Sequence, residues 1–407
     1  MAAIGLILAA AAFMVWQLGV AVSSRPVTAP VKSIAVLPLE NLSGDPSQEY
    51  FADGMTDALI GDLTKIGALR VVSRTSVMRY KGSRKLLPEI AHDLSVDTVL
   101  AGSVMRSGER VRIAVQLIDA AYDRNLWSES YERDIPNVLG LQRDVAQAIA
   151  REIRIKLTPL EQARLADARP VDAEAHDAYM RGLYHLARRA EGNRDKALEY
   201  FQQAIEKDPS FAPAHAALAT TYSLFGNYPK MKEAALNALR LDEHSAEAYA
   251  ALGFAKMNND WDWQGAEQNF KRAIALNPQS MTAHHWYSHF LTARVRHKES
   301  LAEAQKALDL EPLNMITSEH MGWTLHFARQ YDRAVEHYRR MLAMEPNFAL
   351  GHLRMGHTYE QMGLQAEAIA EFETAKQLSG GGLGSMDMGT SSQEAGEPTR
   401  RGRYSQN

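Results

Sequence analysis

Two histidines, His285 and His289, stand four residues apart on one expected helix, the interval at which two imidazoles share a face and can reach a common metal ion. Two nitrogen donors leave such a site incomplete, so no metal is expected there. Catalysis has no better candidates. The sequence contains no cysteine, which excludes disulfides, zinc–thiolate sites, iron–sulfur clusters and thiol nucleophiles. There is no G-x-x-x-x-G-K-[ST] loop to cradle phosphate, and GGGLGS at Gly380 misses G-x-G-x-x-G and follows no strand. The G-x-S-x-G, H-E-x-x-H and kinase motifs are absent as well. Carboxylates crowd the stretch ENLSGDPSQEYFADGMTD, but around a turn and a helix start they serve as caps and solvated surface. Asp45 before Pro46 and Asp53 before Gly54 suit those roles. No catalytic residue and no cofactor is assigned.

Charge gives a second candidate. From Leu63 to Pro88 there is no acid but there are seven positive side chains: Lys65, Arg70, Arg74, Arg79, Lys81, Arg84 and Lys85. Such a stretch could meet an anionic partner, such as lipid head groups or a cell-wall polymer. The alternative is a solvated face offset by acids elsewhere. Over all 407 residues, 45 Lys+Arg stand against 49 Asp+Glu, a net charge of −4, which is not the balance of a dedicated nucleic-acid binder. Nucleic acid is therefore not expected as a partner. The hydrophobic fraction of 46% and charged fraction of 23% fit two or three folded domains, and exclude a multi-span transporter or a wholly disordered chain.

Residues 1–24 carry no charged side chain and have Gln17 as the one strongly polar residue. As a helix they would extend about 36 Å, enough to cross a hydrocarbon core of about 30 Å. With no Lys or Arg before it and a long apolar run, this segment is expected as an uncleaved transmembrane helix, with a cleaved signal or a buried core helix as alternatives. Arg25 and Lys32 behind it lean weakly toward a cytoplasmic orientation. Residues 25–30 read as a linker, and KSIAVLPLENL then opens a folded region with a strand. Met55, Leu59, Ile60, Leu63 and Ile66 recur at helical spacing before Gly67, and Val138, Leu141, Val145, Ile149 and Ile153 do so later. Between them, DTVLAGSVMRSG and RVRIAVQLID form an expected antiparallel pair around Ser107-Gly108. The order βαβαββα implies a small α/β domain over 31–158.

The second half of the chain repeats. Pro209, Glu243, Pro278, Pro312 and Pro346 mark a period of 34 residues, with one extra residue in the third repeat near Trp261-Asp262-Trp263. Small and aromatic residues recur in register: Ala197, Phe201 and Ala204; Ala266, Phe270 and Ala273; Ala334 and Tyr338; Ala368, Phe372 and Ala375. Gly253, Gly322 and Gly356 recur on the preceding helices, with Met231 and Ser300 departing from the usual Ala on the following ones. Small residues let the two helices of a hairpin approach, and the aromatic fills the gap between hairpins. This stretch resembles the tetratricopeptide repeat family, with about six repeats over 175–378. The resemblance implies a superhelix with a concave groove, toward which positions 2, 5, 9 and 12 of each first helix point. Those positions hold Phe254, His285, His289, Glu319, Trp323, His326, Leu353, His357 and Glu360. Rigid amphipathic side chains of this kind dominate interface hot spots, so a peptide or protein is the expected ligand. The Lys-plus-Asn carboxylate clamp of chaperone-binding relatives is absent at these positions. His285, His289, His326 and His357 would titrate near pH 6.5 if unperturbed, which would make binding pH-dependent. Residues 379–407 are rich in Gly and Ser and are expected to be disordered.

The wording SIAVLPLENLSGDPSQEYFADGMTDALIGDLTKIGALRVVSRTSVMRYKG, then VDTVLAGSVMRSGERVRIAVQLIDA and NLWSESYERD, resembles the TolB-N-terminal-like (FlgO-like) domain that bacterial proteins carry before tetratricopeptide repeats. In such proteins a transmembrane helix often precedes the pair, with a winged-helix domain, a class III adenylate cyclase or a protein kinase on its far side. The expected fold class is thus an α+β multidomain chain: transmembrane helix, small α/β domain, then an all-α tetratricopeptide superhelix. The resemblance implies an inner-membrane, single-pass protein with its C-terminal domains in the periplasm. It would act as a non-catalytic scaffold or sensor for protein partners. The alternative is a regulatory module of a signalling protein whose effector domain is missing or lies upstream.

Overall fold

The computed structural model describes residues 31–153, 155, 157, 158, 171–187 and 192–380. Strand β1 (Ser33–Val36) is buried along its whole length, and after an interruption at Pro38 a short β2 (Glu40–Asn41) resumes the same line. Proline has no N–H to give to a ladder, so a break falls there. Helix α1 (Glu49–Thr64), strand β3 (Arg70–Val71) and short helices α2 (Arg74–Val77) and α3 (Leu87–Leu94) follow. Three long strands come next: β4 (Thr98–Ser107), β5 (Arg110–Asp119) and β6 (Arg124–Asp134). Helix α4 (Val138–Glu152) closes the domain. The sheet order is β3-β1-β4-β5-β6, with β1 parallel to β3 and β4, β2 parallel to β4, and the β4–β5–β6 meander antiparallel. Gly108 turns the β4–β5 hairpin at φ 60, a conformation glycine adopts without cost.

Strand β6 was not among the expected elements. Its residues are mostly exposed on both faces, because it is an edge strand carrying Arg124, Glu129, Glu132, Arg133 and Asp134. Charged edges discourage sheet-to-sheet association, but they erase the alternation by which a strand is read.

Twelve helices follow in pairs among the described residues: α5 (Ala173–Ala187) with α6 (Asn193–Lys207), α7 (Ala212–Ser223) with α8 (Tyr228–Leu241), and α9 (Ala246–Ala255) with α10 (Trp263–Leu276). Then come α11 (Met281–Ala293) with α12 (His297–Leu310), α13 (Met315–Phe327) with α14 (Tyr331–Met344), and α15 (Ala349–Gln361) with α16 (Gln365–Leu378). First helices of consecutive pairs also touch one another, so α7, α9, α11, α13 and α15 form one row. A Cβ on Gly253 would lie 3.1 Å from the Phe270 ring, and one on Gly322 would lie 2.4 Å from the Tyr338 ring. The recurring glycine is therefore a seat for the aromatic of its partner helix. The extra residue of the third repeat is absorbed as a π-turn over Lys256–Asp260, after which Trp261 takes φ 54. Ser300, in place of alanine, is fully buried beside Ser288 (Oγ···Oγ 3.0 Å) and Thr292 (2.6 Å), so its hydroxyl is satisfied.

The α/β domain and the repeats share one core. Met55, Leu59 and Val145 belong to the same cluster as Val171, Ala175, Met180, Phe211 and Ala214. Helix α1 lies along α5, where Asp177 accepts from Arg106 (2.5 Å), Arg181 (2.8 Å) and Tyr50, and Arg181 covers the Tyr50 ring at 4.1 Å. Farther on, Val71 N donates to Gln279 Oε1 (2.8 Å), and Gln279 Nε2 donates to the carbonyls of Ile66 (3.3 Å) and Leu69. Lys65 is held above its usual pKa chiefly by Asp62, with Glu247 of α9 adding to it. The domain therefore packs on the first helices of the first two repeats and reaches the start of the fourth at Gln279.

Two expectations are corrected. No helix among the described residues is long and apolar enough to cross a membrane. Helix α1, with 16 residues, spans only about 24 Å and carries Asp53, Asp57 and Asp62, so its apolar face serves the domain core. The fold class is an α/β domain followed by a helical tetratricopeptide superhelix, and neither the membrane-spanning element nor the inner-membrane location is retained. Residues 1–24, to which that span was assigned, the 25–30 linker, and 381–407 of the expected tail lie outside the described residues.

Candidate functional site

The row of first helices in repeats three to six brings most of the sequence-selected groove residues together. Phe254 on α9 stacks on Trp286 (4.8 Å between ring centres) and meets the His289 edge at 6.3 Å. His289 on α11 contacts Trp323 on α13 at 4.9 Å, and Trp323 contacts Phe327 at 4.5 Å. His326 Nδ1 lies 3.0 Å from the Thr358 hydroxyl on α15, and His357 sits edge-on to Phe372 at 5.0 Å with Glu360 at 3.5 Å. Phe254, His285, His289, Trp323, His326 and His357 are half-buried. Aromatic faces and imidazole edges side by side give a surface suited to apolar side chains and peptide groups.

Two of the selected residues are placed differently. Glu319 is only 7% exposed and pairs with Arg354 (3.0 Å); burial raises its pKa against the pull of that guanidinium. Leu353 is 6% exposed and packs in the core of the last repeats. The sequence reading also missed two residues. Phe327, 46% exposed, extends the aromatic row. His320 lies against both His285 (4.4 Å) and His289 (4.0 Å). The three imidazoles offer ligand atoms within 4.8 Å of one another, so the incomplete pair gains a third donor. His320 follows a position that should face the groove and so fell outside the register used; a search at one period plus one residue from His285 would have found it.

Desolvation holds His289 and His320 well below the ordinary histidine pKa, with neighbouring imidazoles adding to it. His326 is lowered too, by burial first and then by His357 and Arg354. Titration near pH 6.5 at His289 and His326, expected for free imidazoles, is thus displaced to lower pH.

Most of the basic stretch has partners within its own domain. Lys65 pairs with Asp62 (2.6 Å), Arg74 with Asp57 (3.9 Å), Lys81 with Glu49 (2.6 Å) and Asp53 (2.5 Å), and Lys85 with Asp93 (2.8 Å). Arg70 donates to the carbonyls of Leu94 and Ser95. Arg79 and Arg84 are exposed. Acids from α1 and α3 therefore meet most of these charges. Asp45 caps the following turn through Ser47 N (2.8 Å), as expected. Asp53 instead is 3% exposed inside α1, where Lys81 neutralises it.

Comparison with known proteins places these features. The family model for the second domain of HilA/YgeH-like transcriptional regulators matches residues 30–148, whereas no match to a TolB-N-terminal-like domain is shown there. Tetratricopeptide-repeat models match residues 183–213, 200–233 and 351–380. A protein of Rhizobium meliloti (strain 1021) named as an adenylate cyclase is 38% identical over 195 residues, which is 48% of this chain and 33% of that protein. Anaphase-promoting complex subunit 3 of Schizosaccharomyces pombe is 23% identical over 185 residues, 46% of this chain and 28% of that one. The chain thus spans a third or less of the length of these curated relatives. Among solved structures, YrrB, titled a TPR protein with an unusual peptide-binding site, is 20% identical with a TM-score of 0.33, covering 45% of this chain and 94% of its own. The Pseudomonas aeruginosa pilF protein is 23% identical with a TM-score of 0.38, covering 52% and 95%. The chain carries tetratricopeptide repeats and a HilA-like domain.

Proposed function

We propose that the chain binds a polypeptide partner along the first helices of repeats three to six and holds it in a fixed relation to the α/β domain. The observation that carries this reading is the row Phe254, His289, Trp323 and Phe327, in mutual ring contact yet partly open. Tetratricopeptide proteins bind peptide or protein partners, and the first helices of repeats three to six carry the aromatic row that would receive one. Binding alone is the mechanism: apolar side chains of the partner lie on Phe254 and Trp323, while His326 and His357 offer hydrogen bonds to its backbone.

Peptides selected from a displayed library on the full chain test this. Trp323→Ala should weaken a selected peptide by about 30-fold or more, the loss typical of a hot-spot aromatic. Peptides that bind Trp323→Ala, Phe254→Ala and the parent equally would defeat the reading.

A regulatory role within a signalling protein is the second reading. It is favoured by the match of residues 30–148 to a transcription-regulator domain and by the likeness to a protein named for adenylate cyclase. The same groove would then receive the signal, and the shared core between Met55, Met180 and Phe211 would transmit it. The basic stretch enters neither reading, since Lys65, Arg74, Lys81 and Lys85 are paired with acids of the same domain and Arg70 is bonded to the Leu94 and Ser95 carbonyls.

A further inference from the structure

We propose that His285, His289 and His320 form a binding site for a divalent first-row transition metal of the zinc class, between the first helices of the fourth and fifth repeats. Their ligand atoms lie within 4.8 Å of one another, and their ring centres are 4.9, 4.4 and 4.0 Å apart. Nitrogen donors about 2.1 Å from a tetrahedral metal stand about 3.4 Å from one another, so modest side-chain rotations close the chelate. His285 and His289 are successive turns of α11, and His320 enters from α13, so the donors approach from two helices in contact.

The surroundings suit this chemistry. Ser288 Oγ lies 3.0 Å from His320 Nε2, which fixes that ring and leaves Nδ1 to coordinate; outer oxygen partners of this kind orient metal-binding imidazoles. Ser288 is itself held by Ser300, the residue that departs from the repeat's usual alanine. Burial keeps His289 and His320 uncharged, the form that donates a lone pair. Arg354, whose charge acts on His289 and His320, is paired with Glu319, so an incoming cation does not meet that positive charge unbalanced. An all-imidazole donor set favours zinc, nickel or copper over magnesium or calcium. Three protein donors also leave a coordination position open, beside Trp323, for water or a donor atom of a groove ligand. Metal capture itself does not require that the groove bind a polypeptide.

The test is calorimetric titration of Zn2+ into the full chain, produced without a histidine tag and stripped with a chelator. Co2+ serves as the spectroscopic probe. One Zn2+ per chain is expected with a Kd of about 1 µM or tighter, with the Co2+ complex showing visible bands of a low-coordinate nitrogen site and no response to Mg2+. His285→Gln, at a half-exposed position, should weaken binding about 100-fold or more, whereas His326→Gln, outside the cluster, should leave it unchanged. His289→Gln gives a second arm, with metal-free thermal unfolding as the check that each variant folds. No stoichiometric binding of Zn2+, Co2+, Ni2+ or Cu2+ below about 100 µM, or binding unaltered in the His285→Gln/His289→Gln double variant, would overturn the proposal.

Discussion

Replacing Phe270 with alanine will destabilise the chain by about 3–5 kcal/mol, the usual cost of removing a buried phenylalanine ring. Phe270 is fully buried, rests on Gly253, and lies 5.8 Å from Tyr287 and 5.9 Å from Phe290, so its loss empties the joint between the third and fourth repeats. Repeat arrays are stabilised by nearest-neighbour interfaces, so the damage should be felt first at this joint. Chemical denaturation measures the total, and amide exchange should show α9 to α11 opening before α13 to α16. A loss below about 1 kcal/mol would mean that the joint collapses around the gap and that the glycine–aromatic seat is not what fixes the repeat geometry.

Acidification will destabilise the folded chain through His176 by about 3 kcal/mol between pH 7 and pH 4, at about 1.4 kcal/mol per pH unit of difference in affinity for the proton. His176 is fully buried on α5 beside Phe51, neither of its ring nitrogens has a hydrogen-bond partner, and burial lowers its pKa from 6.5 to about 4. The sign follows from which state binds the proton. Between 6.5 and about 4 the unfolded chain takes up a proton that the folded chain refuses, so stability is complete above 6.5 and falls as pH drops through this window. His176→Leu removes the proton site while filling the cavity. The difference in stability between parent and variant should therefore narrow or reverse toward pH 4, although His289, His320, His326 and His337, all lowered, contribute the same trend to both proteins. Parallel stability curves for parent and variant from pH 7.5 to 4 would show that His176 is solvated or paired in solution.

Much of the repeat architecture was legible because its packing rule is written at fixed intervals. Gly253 and Phe270, Gly322 and Tyr338, and Gly356 and Phe372 are each a hairpin contact, and the structure realises each as a ring set against a missing side chain. The one-residue insertion near Trp261 was legible as a break in the count, and the π-turn is its physical form. The polar exception at Ser300 was visible, but its reason was not, because Ser288 and Thr292 meet it only once the two helices pair. Strand β6 was hidden by its charged edge. His320 was hidden by a register that looks only toward the groove, whereas this imidazole points into the seam between neighbouring first helices. The docking of the α/β domain on the repeats was not legible at all, since Gln279 and Val71 are bonded across more than two hundred residues. The spanning helix inferred from the first residues finds no counterpart among the described ones.

The most direct measurement is site-specific crosslinking of the full chain with a photoreactive phenylalanine analogue, placed at Phe327 on the inner row or at Leu236 on a second helix, both exposed. A discrete polypeptide adduct from Phe327 that disappears when Trp323 is changed to alanine, with none from Leu236, is expected. Equal adducts from both positions, or a Phe327 adduct indifferent to Trp323, would contradict binding along the inner row.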